Sequence, residues 1–245
     1  MVFRRVSILE LPKFNHAVTT KGQRMDRFTP TSQAPGPPRA AAIAGLIFSL
    51  LMIITLGIIR SALPDLPTEQ SRVNARFGNA ITLALHLVPF AGLAFLWFIG
   101  VLRSQMGAAE DQFFATVFLG SGLLFVASLF AATAVAGAVL GSTHARPNEQ
   151  VSRELYQFAK QVGYAFLNIF AVRMAGVFTF STSVIALRIG IFARWIAFCG
   201  FACGLTLLVV ISNWLWIVML FPLWTILVSL DILVVERKRK ADTSP

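Results

Sequence analysis

Cysteine, histidine and acidic side chains are scarce in this chain, and each shortage removes a class of chemistry. The two cysteines, Cys199 and Cys203, stand four apart in an apolar segment, which places both on one helix face and offers poor disulfide geometry. Neither belongs to a metal or redox motif. The three histidines, His16, His86 and His144, are too scattered for a metal or haem site, which needs two ligands at one level with further donors, so no metal or cofactor is implied. Asp and Glu number 11 against 21 Lys and Arg, and charged residues make up 13% of the chain, which leaves no charge-rich loops to gather a substrate.

What abounds is apolar. Hydrophobic residues are 56% of the total and the mean hydropathy is +0.73, values that belong to an integral membrane protein rather than to one or two soluble domains. The net charge of +10 could suggest nucleic acid, but the cations sit in tails and loops beside apolar runs, where they act as topology signals. The partner this composition implies is the lipid bilayer, with a membrane-protein partner or a second copy of the chain as the other candidates; nucleic acid is not one.

The predicted fold is all-α, a polytopic bundle of six transmembrane helices. Residues 1–39 carry seven Lys or Arg and a Pro-rich end, too little apolar surface to repay ordering, and read as a disordered cytoplasmic tail. Met25 offers an alternative start, and no stretch here fits a signal peptide. The transmembrane domain is expected over 40–235, with spans at about 40–59, 81–102, 113–140, 162–187, 195–212 and 214–235. The last two come from one apolar run of 41 residues, about twice a single crossing, divided at Ser212-Asn213. The second half of the 141–161 loop is expected to continue as helix into the fourth span. Residues 236–245 form a second basic tail. With the N-terminus inside, Lys and Arg divide 14 to 6 in favour of the inner side, so both termini are predicted to be cytoplasmic.

Four stretches are distinctive: FLWFIGVLRSQMGAAEDQFFATVFLGSGLLF from Phe95 to Phe125, RMAGVFTFSTS from Arg173 to Ser183, IALRIGIFARW from Ile185 to Trp195, and FPLWTILVS from Phe221 to Ser229. Together they resemble a group of uncharacterised multi-pass membrane proteins of actinobacteria, over roughly residues 40–235. The resemblance implies six helices and a plasma-membrane location, and carries no established activity. Where the family pattern has Leu-Pro-Arg-Trp in the short fourth turn, this chain has Phe192-Ala193-Arg194-Trp195, which makes the turn less rigid here.

Arg173, near the middle of an apolar span, is the residue that most needs explaining, because a guanidinium at that depth costs about 2.5–3.5 kcal/mol on insertion scales. At ~1.5 Å per residue, His86 lies ~8 Å, Asn168 ~9 Å, Pro89 ~12 Å, Pro222 ~13 Å and Arg173 ~16 Å below the outer face. All five share one half of the bilayer. Each proline frees a carbonyl one turn back, at Leu85 and Val218, and a guanidinium with five donors suits such carbonyls. Three readings stay open: a structural clamp tying the second, fourth and sixth spans, an outward polar cavity for a small anion or head group, and simple snorkelling. Near the inner interface, Asp231 is expected to pair with Arg188 and Arg194, with a proton relay as the rival. Glu110-Asp111 reads as the acidic first turn of the third span.

Gly120-Ser121-Gly122 suggests an intramembrane serine nucleophile, but Ser121 and His86 differ in depth by about 10 Å, so the glycines read as packing residues. The sequence therefore points to a multi-pass membrane protein with a structural or accessory role and no enzymatic activity. The first alternative is a small transporter or permeability protein built on the cavity around Arg173; the second is a membrane-embedded enzyme, disfavoured because no nucleophile, metal set or acid-base pair shares a depth.

Overall fold

The computed structural model describes residues 38–62, 75–106, 112–145, 153–190, 193–210 and 215–242. All lie in one compact unit, Pro35–Pro245. The expected tail over 1–39, apart from its last two residues, Met25, the Glu110-Asp111 pair and the Ser212-Asn213 divide fall outside the described residues.

Every described element is helical. α1 spans Pro38–Ala62 and opens on a proline, whose fixed φ suits the first helical position. α2 spans Ala75–Met106 and keeps its helix through Pro89, and α3 spans Gln112–Ala145. α4, Arg153–Tyr164, runs through a π-helical segment, Ala165–Ala171, into α5, Val172–Ile189, so the polar approach and the fourth apolar stretch form one rod. Gly190 ends that rod at φ 73°, the left-handed conformation that glycine adopts without penalty, with its N–H bonded to Ala186 O at 2.8 Å. α6 spans Arg194–Val209 and α7 Leu215–Asp242, with Pro222 inside.

Five of these stretches are long and apolar enough to cross a membrane: Arg39–Ile59, Thr82–Gln105, Phe113–Val139, Glu154–Ile189 and Ile217–Lys238. α6 is apolar but only 16 residues long. The helices outrun most of the predicted spans because backbone hydrogen bonding does not stop where side chains turn polar. α7 in particular stays helical through the terminal basic run to Asp242.

Neighbours follow chain order. α1 packs on α2, α2 on α3, α3 on the rod, α5 on α6 and α6 on α7, and α7 returns to α1. Antiparallel neighbours joined in sequence and closed by the first and last helix make a ring. Its axis is filled by phenylalanine. Phe48 of α1, Phe95 of α2, Phe125 of α3, Phe178 of α5 and Phe221 of α7 are all buried. Their rings stack edge to face, with centroids 5.1 Å apart for Phe95–Phe178, 5.5 Å for Phe95–Phe221 and 4.9 Å for Phe125–Phe221. Lipid tails are as apolar as these side chains, so the bundle is held by such close contacts rather than by escape from water, at about 0.5–1.5 kcal/mol per ring pair.

Small residues bring the backbones together around that axis. Gly45 leaves room for Ser229 Oγ of α7, and Gly200 for Ser183 Oγ and the Trp224 indole. A Cβ built on Gly122 would collide with Ile99 Cδ1 and crowd Phe178, while one on Gly120 would meet nothing within 4 Å. The glycine beside Ser121 thus has a packing role on one side only.

Candidate functional site

The π segment is the local irregularity that organises the polar residues of the rod. In its last turn the Val172 N–H reaches back five residues to Leu167 O, and α5 then resumes the ordinary four-residue step. Returning from five to four skips one carbonyl, the next along the ladder, which is that of Asn168. The Arg173 guanidinium closes on it: Nη1 donates to Asn168 O at 3.0 Å. Asn168 Nδ2 in turn donates to Tyr164 O at 3.4 Å, one turn nearer the start of the rod. A helical side chain leans toward its own N-terminus, so this is the direction in which an arginine on α5 naturally reaches.

Arg173 and Asn168 are therefore brought together, both half-buried. The other three residues expected at that depth go elsewhere. His86 is exposed, and its Nδ1 lies 2.6 Å from Thr82 O on its own helix. Pro89 is also exposed, whereas Pro222 is buried one position from the phenylalanine axis at Phe221. Among the described residues, the Arg173 guanidinium bonds the carbonyl of Asn168, not those of Leu85 or Val218.

Beside the π segment lies a small apolar cavity of about 10 Å³, lined by Leu167, Ala171, Val172 and Ala175 of the rod with Val218 and Phe221 of α7. It has room for one water-sized sphere and no polar wall to hold one.

The polar stretch after Arg173 absorbs its own polarity. Thr179, Ser181, Thr182 and Ser183 are buried, and each hydroxyl donates to the carbonyl four residues back at 2.7–2.8 Å. Ser49 and Thr225 do the same on α1 and α7. Ser121 donates to Phe118 O at 3.1 Å, in its own helix. Each of these hydroxyls has its proton committed to the preceding turn and keeps only its lone pairs for any other contact.

At the other end of the ring, Asp231 accepts the Ala193 N–H through Oδ2 at 3.1 Å. Ala193 is the N-cap of α6, so the carboxylate of α7 supports the free amides at that helix start, a place the helix dipole favours for an anion. Arg188 lies over the Phe114 ring, 4.7 Å from its centroid, and Arg194 is exposed. Among the described residues, Asp231 finds a backbone amide where a guanidinium was expected. An ion pair does form nearby, between Arg39 Nε and Glu236 Oε1 at 2.8 Å, joining the first helix to the last.

Cys199 is exposed and Cys203 buried, and both are free thiols. Among the described residues no three His, Cys, Asp or Glu side chains gather as a metal site requires. Sequence reasoning missed the π segment, the phenylalanine axis and the Asp231 cap. Only the last had a readable signal, an acid one turn before the basic end of an apolar span. The chain matches no family model, no curated protein and no solved structure.

Proposed function

We propose that this chain is a six-span plasma-membrane protein with cytoplasmic termini, related to the actinobacterial group it resembles. It works as a structural or accessory component through lateral helix contacts, without enzymatic activity. The observation that carries this reading is the phenylalanine axis. Rings from five helices meet where a solute path would have to run, and a path through them would require moving several interlocked side chains at once. The back-bonded hydroxyls of α5 support it, since their donors are already committed within that helix.

Reconstitution into vesicles tests the proposal. Purified protein should leave chloride, proton and glycerol fluxes at the rate of empty vesicles. A photo-reactive residue at the lipid-facing position Trp97 should give one discrete cross-linked adduct in native membranes rather than a smear.

A second reading has its own support in the π segment, because single π turns recur at functional sites. In it, the half-buried Arg173 beside the π segment marks an outward site for a small anion or polar head group. Flux above the empty-vesicle rate, abolished by Arg173→Ala, would install this reading in place of the first.

A further inference from the structure

The end of the ring where α1 begins and α7 finishes collects cations from five helices. Arg39 lies in the first turn of α1, Arg103 in the last turn of α2, Arg188 in that of α5, Arg194 opens α6, and Arg237 and Lys238 follow the apolar part of α7. All six are exposed. Three contacts tie these helix ends together: Arg39 with Glu236, Arg188 over Phe114 at the start of α3, and Ala193 with Asp231.

The acids described at that level are already engaged, Glu236 by Arg39 and Asp231 by the Ala193 amide. Among the described residues, Arg103, Arg194, Arg237 and Lys238 meet no carboxylate within ion-pairing distance. α7 continues as helix to Asp242 and carries Arg239 and Lys240 with it, about 9 Å past Glu236. Trp195 stands exposed beside Arg194 on the same rim, as an amphipathic indole does at headgroup depth. The opposite end differs, since Glu154 and Lys160, both exposed on α4, give it mixed sign.

We propose that this rim is a binding collar for anionic phospholipid headgroups. In sequence, the eight Lys or Arg of that end (Arg39, Arg103, Arg188, Arg194 and the run 237–240) outnumber its five acids (Glu110, Asp111, Asp231, Glu236 and Asp242). Such an excess raises its own energy unless further counter-charge comes from outside, and at headgroup depth the nearest source is lipid phosphate. Arg194 and Arg237 offer the planar fork that matches phosphate oxygens, and Lys238 adds a point charge. The proposal rests on the membrane placement given above and holds whichever side of the bilayer the rim occupies.

The test is native mass spectrometry of the full chain in detergent, titrated with phosphatidylglycerol or with phosphatidylcholine of the same acyl chains. The anionic lipid should be retained at least fivefold more strongly, at about fivefold per contributing cation, and high salt should erase the preference. Arg194→Gln with Arg237→Gln and Lys238→Gln should remove most of it. Arg194→Lys with Arg237→Lys should keep most, and Lys160→Gln at the opposite end should change nothing. Equal retention of the two lipids by the unaltered protein would overturn the collar while leaving the membrane placement standing. A Lys160→Gln loss as large as that of the triple variant would overturn it too. Should the triple variant precipitate, the salt series and Lys160→Gln still decide.

Discussion

Gly176 and Gly204 meet backbone to backbone across α5 and α6: a Cβ built on either would lie 3.0 Å from the other's carbonyl oxygen. Neither carbonyl can swing aside as a side chain would, so a methyl must push the helices apart. Gly176→Ala is expected to lower the detergent melting temperature, at a cost of about 1–3 kcal/mol. Gly57→Ala and Gly100→Ala, where nothing lies within 4 Å, are the controls and should melt at or above the parent. Unchanged melting for Gly176→Ala would mean that α5 and α6 separate freely, contrary to the packing described.

Arg173 gives a second expectation. Replacing it with alanine strips the donor from the half-buried Asn168 carbonyl, a loss of about 1 kcal/mol. Arg173→Lys should retain most of the stability, because one ammonium donor suffices for one carbonyl. A clamp across two other helices would instead need the planar fork, and lysine would fail it. Thermal melts of the three proteins separate the cases, and a lysine variant as weak as the alanine one would return the argument to the clamp.

The Asp231 cap makes a third. Asp231→Asn keeps an acceptor for the Ala193 amide and should cost little, whereas Asp231→Ala should cost about 0.5–2 kcal/mol, as lost N-terminal caps do. Ala193→Pro is the sharper test. Its φ of −57° suits proline, but the ring deletes the N–H that Asp231 accepts. Proline at this position should therefore destabilise the chain, and a stabilised Ala193→Pro would show that Asp231 does not cap α6.

Orientation is the fourth. Cysteine at position 148 should react with an impermeant reagent in intact cells and cysteine at position 243 should not, as the 14 to 6 division of Lys and Arg requires. The reverse pattern would invert the topology.

The helical class and the positions of the apolar stretches were legible because a backbone without water must satisfy itself, and uncharged runs of spanning length announce it. Counting residues at ~1.5 Å each addresses depth alone, which is one coordinate of three. That count groups His86, Pro89 and Arg173, yet His86 and Pro89 are exposed, because rotation about each axis is set by which neighbour packs on which face. The π segment had no announcing residue, neither proline nor glycine, and it shifts everything before it on the rod by one position around the helix. Phe178 and Phe221 could not be told from the other phenylalanines, since apolar side chains look alike whether they meet lipid or one another.

The brevity of α6 bears on the bilayer itself. Sixteen residues rise about 24 Å, some 6 Å less than a typical hydrocarbon core, and the helix turns Trp195, Phe198, Leu205 and Val209 outward. If α6 is the sixth crossing proposed above, acyl chains along that flank would have to compress, while those beside the 34 residues of α3 would not, at a cost of a fraction of a kcal/mol for each ångström. The lipid annulus would then be lopsided, thin on one side. That asymmetry would draw the protein toward thinner patches of membrane.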